Sequence, residues 1–511
     1  LENLTIVAKI LVTSIYLITL GLLCAFGLHR HYLSYLFNKH KNQTPEPKDR
    51  FKKLPVVTVQ LPIYNEMYVV ERLISSVCEI EYPRELMEIQ VLDDSTDQTQ
   101  EIARNCVDAY RSLGFQISYI HRDNRNGFKA GALSEGLESA RGELIAIFDA
   151  DFIPPKDFLR KTVDFFTDPK VGMVQVRWGH VNLDYSALTK AQSILLDGHF
   201  VIEQASRFYG GSFFNFNGTA GILRKTCIES AGGWHHDTLT EDLDLSYRAQ
   251  LKGWRFIYLK DWVVEAELPV DMNAFKSQQH RWAKGAIQTA KKVLPQILRA
   301  KGLPLRVKTE AAFHLLGNFA YVLLLLLLSL MLPISYFWHS LGWERVVLFN
   351  LVVVSACTVS VIRFYVITIK EVHGKEWTKY WKYVPLSIAL GSGIAINNSK
   401  AVFEALLGKH SEFRRTPKFA VTSKGDNWHT RRYTSSKEIT TLIELGVGLF
   451  FMIQTSYAVF AGYVGWIPFL LLIQFGFIYT GLLSILHSSQ KQAMKIDSFV
   501  PKPVLQKEKN P

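Results

Sequence analysis

Five stretches of this chain are almost free of charge for about 20 residues each, and they constrain its fold more than any other feature. They lie at 4–28, 311–336, 346–369, 439–461 and 465–487. A helix of that length crosses a hydrocarbon core of ~30 Å. The mean hydropathy of +0.07 is therefore an average over two unlike parts. No basic segment precedes the first stretch, and no small-residue cleavage site follows it before His29-Arg30-His31. That predicts a retained anchor rather than a removed leader.

The net charge of +12 gathers beside these windows, in His29-Arg30-His31 and at 39–53 and 409–437. Positive charge flanking spans marks their cytosolic side. No groove-reading motif accompanies it, so nucleic acid is not an expected partner. The segment 377–408 is apolar in its first half and interrupted by Asn397-Asn398-Ser399-Lys400, with basic residues on both sides. Flanks on one face predict an amphipathic helix lying in the membrane interface. Five spans then leave every strongly basic loop on one side of the membrane.

Between the first two windows the texture changes. Short β-branched runs at 56–61, 88–92, 116–120 and 144–148 alternate with helical stretches such as 69–79 and 97–113. This pattern predicts a doubly wound α/β domain with a mostly parallel sheet. The expected order is an anchor at 1–30, a basic cytosolic linker at 31–53 and the α/β domain with a closing interfacial helix at 54–300. Two spans at 301–370 follow, then the interfacial helix and a loop at 371–437, two spans at 438–488 and a basic cytosolic tail at 489–511. The five cysteines (Cys24, Cys78, Cys106, Cys227, Cys357) form neither a CxxC nor a zinc-type spacing and read as reduced.

Four clusters carry candidate chemistry. Asp149-Ala150-Asp151 directly follows the predicted strand 144–148. Residues i and i+2 of an extended segment point the same way, so this pair can hold a divalent cation against a diphosphate. Alone, Asp-x-Asp is as readily a solvated loop. Asp93-Asp94-Ser95-Thr96-Asp97 ends a second predicted strand and also reads as helix N-caps. Ligands of open α/β sheets bind beyond the carboxyl ends of the strands, so both clusters should face one crevice. Thr240-Glu241-Asp242 opens a helix, where acidic groups complement the dipole; in company, it offers a base for a hydroxyl proton. Gln278, Arg281 and Trp282 recur at i, i+3 and i+4 and share a helix face. That face presents an amide, a guanidinium for phosphate and an indole on which a sugar can stack. Lys276, Lys284, Lys291 and Lys292 on the same helix predict a basic interfacial surface.

Taken in order, Asp94, Asp149-Ala150-Asp151, Thr240-Glu241-Asp242 and Gln278 to Trp282 resemble the D, DxD, TED and QxxRW signature of processive membrane enzymes of glycosyltransferase family 2. These include bacterial cellulose synthase and the plant cellulose-synthase-like A and C families. The runs at 90–97, 122–133 and 216–221 are most similar to the A and C proteins, and the likeness covers roughly 55–298. The resemblance implies a Rossmann-like GT-A nucleotide-sugar-binding domain inserted between transmembrane helices. It implies that Asp93 and Asp94 contact the nucleotide, Lys129 its diphosphate, and that Asp149 and Asp151 bind Mg²⁺ or Mn²⁺. Asp242 would be the catalytic base in a carboxylate set with Glu241 and Asp94, while Gln278, Arg281 and Trp282 hold the diphosphate and the acceptor end. Phe419-Ala420-Val421-Thr422-Ser423-Lys424 is similar to the gating loop FxVTxK, which places Phe419, Val421, Thr422 and Lys424 over the donor nucleotide.

The implied reaction is one inverting displacement from a nucleotide sugar onto a growing β-glycan at the cytosolic face of a plasma, inner or Golgi membrane. UDP-glucose, favoured by family frequency, and GDP-mannose both fit as donors; the other expected partners are a glycan or lipid acceptor and membrane lipid. Two departures stand out: one span precedes the domain where bacterial cellulose synthase has several, and no cyclic-di-GMP-binding domain follows it. A non-processive transferase acting on a lipid, like ceramide glucosyltransferase, shares DxD and QxxRW; the gating-like segment favours polymerisation instead. A non-catalytic membrane scaffold is expected to have lost the acidic residues, and all are present.

Overall fold

The computed structural model describes residues 2–340, 344–409, 411, 413, 415–433 and 440–496. The end of the gating-like segment at 434–437 and the tail from 497 onward lie outside the described residues. One seven-stranded sheet organises the middle of the chain. Its strands are β1 (Val57–Ile63), β2 (Met87–Asp93), β3 (Gln116–His121), β4 (Leu144–Ile147), β5 (Val171–His180), β6 (Gly221–Arg224) and β7 (Arg255–Ala266), in the order β3-β2-β1-β4-β6-β5-β7. β3, β2, β1 and β4 run parallel, as does the β5–β7 pair; β6 runs antiparallel to both neighbours. The predicted mostly parallel sheet is present, with one reversed strand inserted.

All seven residues of β1 are buried. β1 alternates Val57, Val59, Leu61 and Ile63 with Thr58, Gln60 and Pro62, and that alternation makes it visible in the sequence; Thr58 and Gln60 donate to Glu88 and Gln90 of β2. The strand order turns back at β1, between β2 and β4. Their carboxyl ends therefore deliver Asp94 and Asp149-Ala150-Asp151 to one crevice, as the topology of such sheets requires.

Among the described residues four helices are long and apolar enough to cross a membrane: Val7–His40, Leu348–Gly393, Thr440–Phe460 and Val464–Ser489. A fifth span arises if Leu305–Leu316 and Phe319–Met331, which meet at a 64° bend, count as one. The first helix does not stop near residue 30; it runs from Glu2 to His40. No proline or glycine interrupts 29–40, and Leu33 and Phe37 on its last turns are buried in the same core cluster as Ile145 and Ile147 of β4.

Two further expectations are corrected. The 377–408 segment is not one interfacial helix but is broken into short turns and the helices Val384–Gly393 and Ala395–Leu406. In the first, Gly393 lies so close to the Ile467–Ile496 helix that a Cβ there would sit 2.4 Å from the Gly476 carbonyl. In the second, Asn397 Nδ2 donates to the Lys276 carbonyl at 2.9 Å, so its polar residues face protein. The lysines of the Met272–Arg299 helix do not form a basic surface either. Lys276 and Lys284 are fully buried and pair with Glu444 (2.8 Å) and Glu404 (3.0 Å). Lys292 reaches Asp237 at 2.8 Å.

The Lys276–Glu444 pair ties the α/β domain's closing helix to Thr440–Phe460 with both side chains inaccessible. Breaking such a pair from one side leaves an uncompensated buried charge and costs ~3–5 kcal/mol, whereas replacing both partners with apolar groups can be neutral. Glu444→Ala should therefore lower the melting temperature in detergent sharply. The double variant Lys276→Met with Glu444→Leu should recover most of the loss.

Candidate active site

A cleft beyond the carboxyl ends of β1, β2 and β4 is lined by Asp94, Lys129, Asp149, Asp151, Glu241, Asp242, Gln278, Arg281 and Trp282. Nine of the sequence-predicted residues, from five separate segments, thus share one space. Local backbone chemistry explains how. Gly127 (φ +73°) and Phe128 (φ +52°) turn the chain into the helix Phe128–Ser139, whose first turn carries Lys129. Lys129 Nζ donates to Asp149 Oδ1 and, at 2.9 Å, to the Gly218 carbonyl. The Asp149 amide donates to Thr219 Oγ1 at 2.9 Å, fixing the turn after β4.

Gly218 sits at φ +82°, and a Cβ there would lie 2.9 Å from Asp242 Oδ2 and 3.4 Å from Lys129 Nζ. Only glycine fits that corner. Gly285 plays a similar part inside the Met272–Arg299 helix, where a Cβ would meet Thr240 Cγ2 at 2.5 Å. A mid-helix glycine costs ~1 kcal/mol relative to alanine, and here it lets Thr240-Glu241-Asp242 lie against the helix that carries Arg281.

Electrostatics sharpen the roles. Burial, and then the neighbouring Glu241 carboxylate, push Asp242 up to about 7. Burial likewise raises Glu241. Burial opposes the charge of Lys129, but Asp149 and Glu241 outweigh it and hold Lys129 above its ordinary value. Burial lowers Arg281, whose guanidinium lies 4.6 Å from the Phe413 ring centre. Asp94 is gripped by Arg122 through two hydrogen bonds, of 2.7 and 2.5 Å.

Five predicted residues are not in the cleft. Asp93 is fully buried beneath it, accepting from Tyr119 Oη and the Ser95 amide and facing His121 at 3.3 Å. Its carboxylate is held at the β2–β3 corner by these partners. Phe419 and Val421 pack into a small apolar cluster with Val270 and Trp428. Thr422 and Lys424 are exposed, and the Thr422 amide donates to Asp426. The same segment nevertheless covers the cleft with residues upstream of the motif. Lys418 Nζ meets Asp151 Oδ2 at 2.6 Å, and Arg415 meets Glu66 Oε1 at 3.2 Å. Glu66, pushed up to about 7 chiefly by burial, joins Asn217 and Gly218 in the wall. Sequence reading passed over Arg415 and Lys418 because a basic loop beside a span reads as topology; no comparable signal marked Glu66.

Asp149 and Asp151 offer hard oxygen donors, and no cysteine lines the cleft, so the pair fits Mg²⁺ or Mn²⁺ with a diphosphate completing the coordination. Among the described residues the one three-ligand cluster, His235, Asp237 and Asp244, does not fit a metal. Lys292 Nζ already reaches all three, at 2.9, 2.8 and 3.1 Å.

The switch-point cleft, lined by Asp149, Asp151, Asp242 and the Trp282 indole, sits in a GT-A-like fold. Residues 55–285 match the family described as glycosyltransferase like family 2. Probable glucomannan 4-beta-mannosyltransferase 10 of Arabidopsis thaliana is 33% identical over 420 residues, covering 80% of this chain and 74% of that protein. Probable glucomannan 4-beta-mannosyltransferase 4 of Oryza sativa subsp. japonica is 44% identical over 274 residues, 52% of this chain and 49% of that protein. Against relatives of this second kind the chain spans about half of their length. The structure of mannosyltransferase PcManGT from Pyrobaculum calidifontis, in complex with GDP-Man and Mn²⁺, has the same fold: TM-score 0.52 over 78% of this chain and 100% of that one, at 19% identity. The chain belongs to glycosyltransferase family 2 and lies close to the cellulose-synthase-like A enzymes.

The Gly218 corner gives a direct test of the site. Gly218→Ala must displace Asp242 or Lys129, and a shift of about 1 Å at a reacting group can cost ~100-fold in rate. We expect sugar transfer to fall by about that factor, while the melting temperature moves by only a few degrees.

Proposed function

We propose that the chain transfers a hexose, mannose in the first instance, from a nucleoside-diphosphate sugar to the end of a growing β-1,4-glycan. The observation that supports this most strongly is the half-buried Asp242 carboxylate, raised to about 7, in one cleft with Asp149, Asp151, Lys129 and Arg281. Mannose is favoured over glucose by the names of the similar plant proteins.

In this reading Asp242 takes the proton from the acceptor hydroxyl as that oxygen attacks the anomeric carbon. The attack opens the bond to the diphosphate from the opposite face, so an α-linked donor gives a β-linked product. Asp149 and Asp151 would hold a divalent cation, which supplies charge neutralisation to the departing diphosphate. Lys129 and Arg281 add fixed positive charge at the same place, and the Trp282 indole offers a platform for the acceptor ring. The exposed basic residues of 39–53, with Lys424, support a domain at the cytosolic face of a multi-pass membrane protein. Hydrogen bonds from the 413–433 segment to both sides of the cleft favour repeated additions over a single transfer.

Asp242 can accept a proton only when ionised. The rate should therefore fall about tenfold per pH unit below about 7 and level off above it. The assay supplies membranes containing the protein with radiolabelled GDP-mannose or UDP-glucose and Mg²⁺ or Mn²⁺, and digests the product with linkage-specific hydrolases. Asp242→Asn should abolish transfer and keep nucleotide binding. Normal turnover in that variant removes Asp242 from the base role, and a single sugar on a chloroform-soluble lipid overturns polymerisation.

A further inference from the structure

Asn217 stands in the cleft wall beside Gly218, one residue from the corner that touches Asp242. It belongs to a hydrogen-bond chain that can run in only one direction. At one end Gln204 Nε2 donates to the Asn215 carbonyl at 2.9 Å, and a carbonyl only accepts, so the Gln204 amide is fixed. Gln204 Nε2 also donates to Asn217 Oδ1 at 2.6 Å, which sets which end of the Asn217 carboxamide is oxygen. Asn217 Nδ2 then donates to His199 Nε2 at 3.1 Å. At the far end His199 Nδ1 faces Glu203 Oε2 at 3.2 Å. A carboxylate accepts, so Nδ1 carries the imidazole proton and Nε2 presents its lone pair to Asn217. Glu203 is itself braced by Arg207, and Arg207 by Glu310 at 3.0 Å.

The backbone is built for this chain. Gly198–Gln204 is a π-helical turn between two α-helical stretches. Bonding from i to i+5 widens the turn, so His199 faces the same side as Glu203 and Gln204; in an α-helix the residue five along points away. Such turns lose backbone hydrogen-bond quality and persist where a site uses them.

We infer that His199 is a positioning residue for the acceptor. It holds the Asn217 carboxamide with Oδ1 and one Nδ2–H committed, leaving the second Nδ2–H to take a ring or hydroxyl oxygen of the acceptor sugar next to Asp242. The inference rests on the proposed transfer to a glycan. It adds a sugar-recognising donor group outside the D, DxD, TED and QxxRW set, and assigns the π-turn the task of aiming it.

The test measures KM for a short soluble β-1,4-linked manno-oligosaccharide and, separately, KM for GDP-mannose. Asn217→Ala and His199→Phe should each reduce kcat/KM for the oligosaccharide by about 10-fold, the scale of one lost hydrogen bond, with donor KM changed by less than about 2-fold. His199→Gln keeps an acceptor for Asn217 and a donor for Glu203, and should recover to within about 3-fold of the unmodified chain. The double variant Asn217→Ala with His199→Phe should be no worse than Asn217→Ala alone, because both remove the same contact. Should His199→Phe fail to fold, Asn217→Ala against His199→Gln carries the comparison. Equal loss toward donor and acceptor, additive effects, or an unchanged acceptor KM in Asn217→Ala overturns the role of His199 while transfer by the unmodified chain stands. If the unmodified chain transfers hexose from neither GDP-mannose nor UDP-glucose, the functional reading falls and this inference with it.

Discussion

Gathering Glu66, Asp94, Asp149, Asp151, Glu241, Asp242 and Glu267 around one cleft is the constraint on which the rest of this structure depends. Buried carboxylates repel one another and lose hydration, and a cation must be brought to each or the group protonates. The chain supplies the cations from well-separated places. Lys129 comes from the first turn of Phe128–Ser139, Arg281 from Met272–Arg299, and Arg415 and Lys418 from the segment that follows Ala395–Leu406. Asp151 is paired with Lys418 at 2.6 Å, whereas burial outweighs the cations at Glu66 and, together with Glu241, at Asp242, and pushes both up to about 7. The same electrostatic demand therefore draws the 415–418 segment onto the cleft and raises the proton affinity of Asp242.

The Met272–Arg299 helix joins that chemistry to the apolar helices. One face carries Gln278, Arg281 and Trp282 into the cleft, and another buries Lys276 and Lys284 against Glu444 and Glu404. Gly285 brings Thr240 to within contact of the same helix. Three tasks on one rigid element mean that a shift of the spans relative to the sheet moves Arg281 and Trp282 with it. The fully buried Lys276–Glu444 pair and the Lys284–Glu404 pair fasten this helix to two others, and removing one partner of the first would leave an uncompensated buried charge.

Much of the fold was legible because its signals are local. The strands at the sheet centre alternate β-branched and other apolar residues with polar ones, and the apolar windows announce themselves by length. The acidic clusters could be assigned to one crevice from strand order alone, since the switch-point rule needs no side-chain coordinates. Gln278, Arg281 and Trp282 followed from helical spacing. Adjacent aspartates carry no mark in the sequence of which one lines the cleft; the structure lines it with Asp94 and holds Asp93 beneath, on Tyr119 and the Ser95 amide.

Charge was the least legible quantity, and for one physical reason. A lysine beside an apolar window has the same sequence signature whether it flanks a membrane or neutralises a carboxylate far along the chain. Lys276 and Glu444 are 168 residues apart, and Lys418 and Asp151 are 267 apart. The positive-inside pattern is therefore a mixture: exposed residues such as Lys53 and Lys424 remain free to flank a membrane, whereas Lys276, Lys284 and Lys418 belong to the interior. Polar residues in 377–408 misled in the same way: Asn397 reads as part of an interfacial polar face but serves a carbonyl of a neighbouring helix, and Glu404 pairs with Lys284 of that helix. In a chain that surrounds an acidic cleft with apolar helices, basic residues are recruited inward first, and only those left over report the side of the membrane.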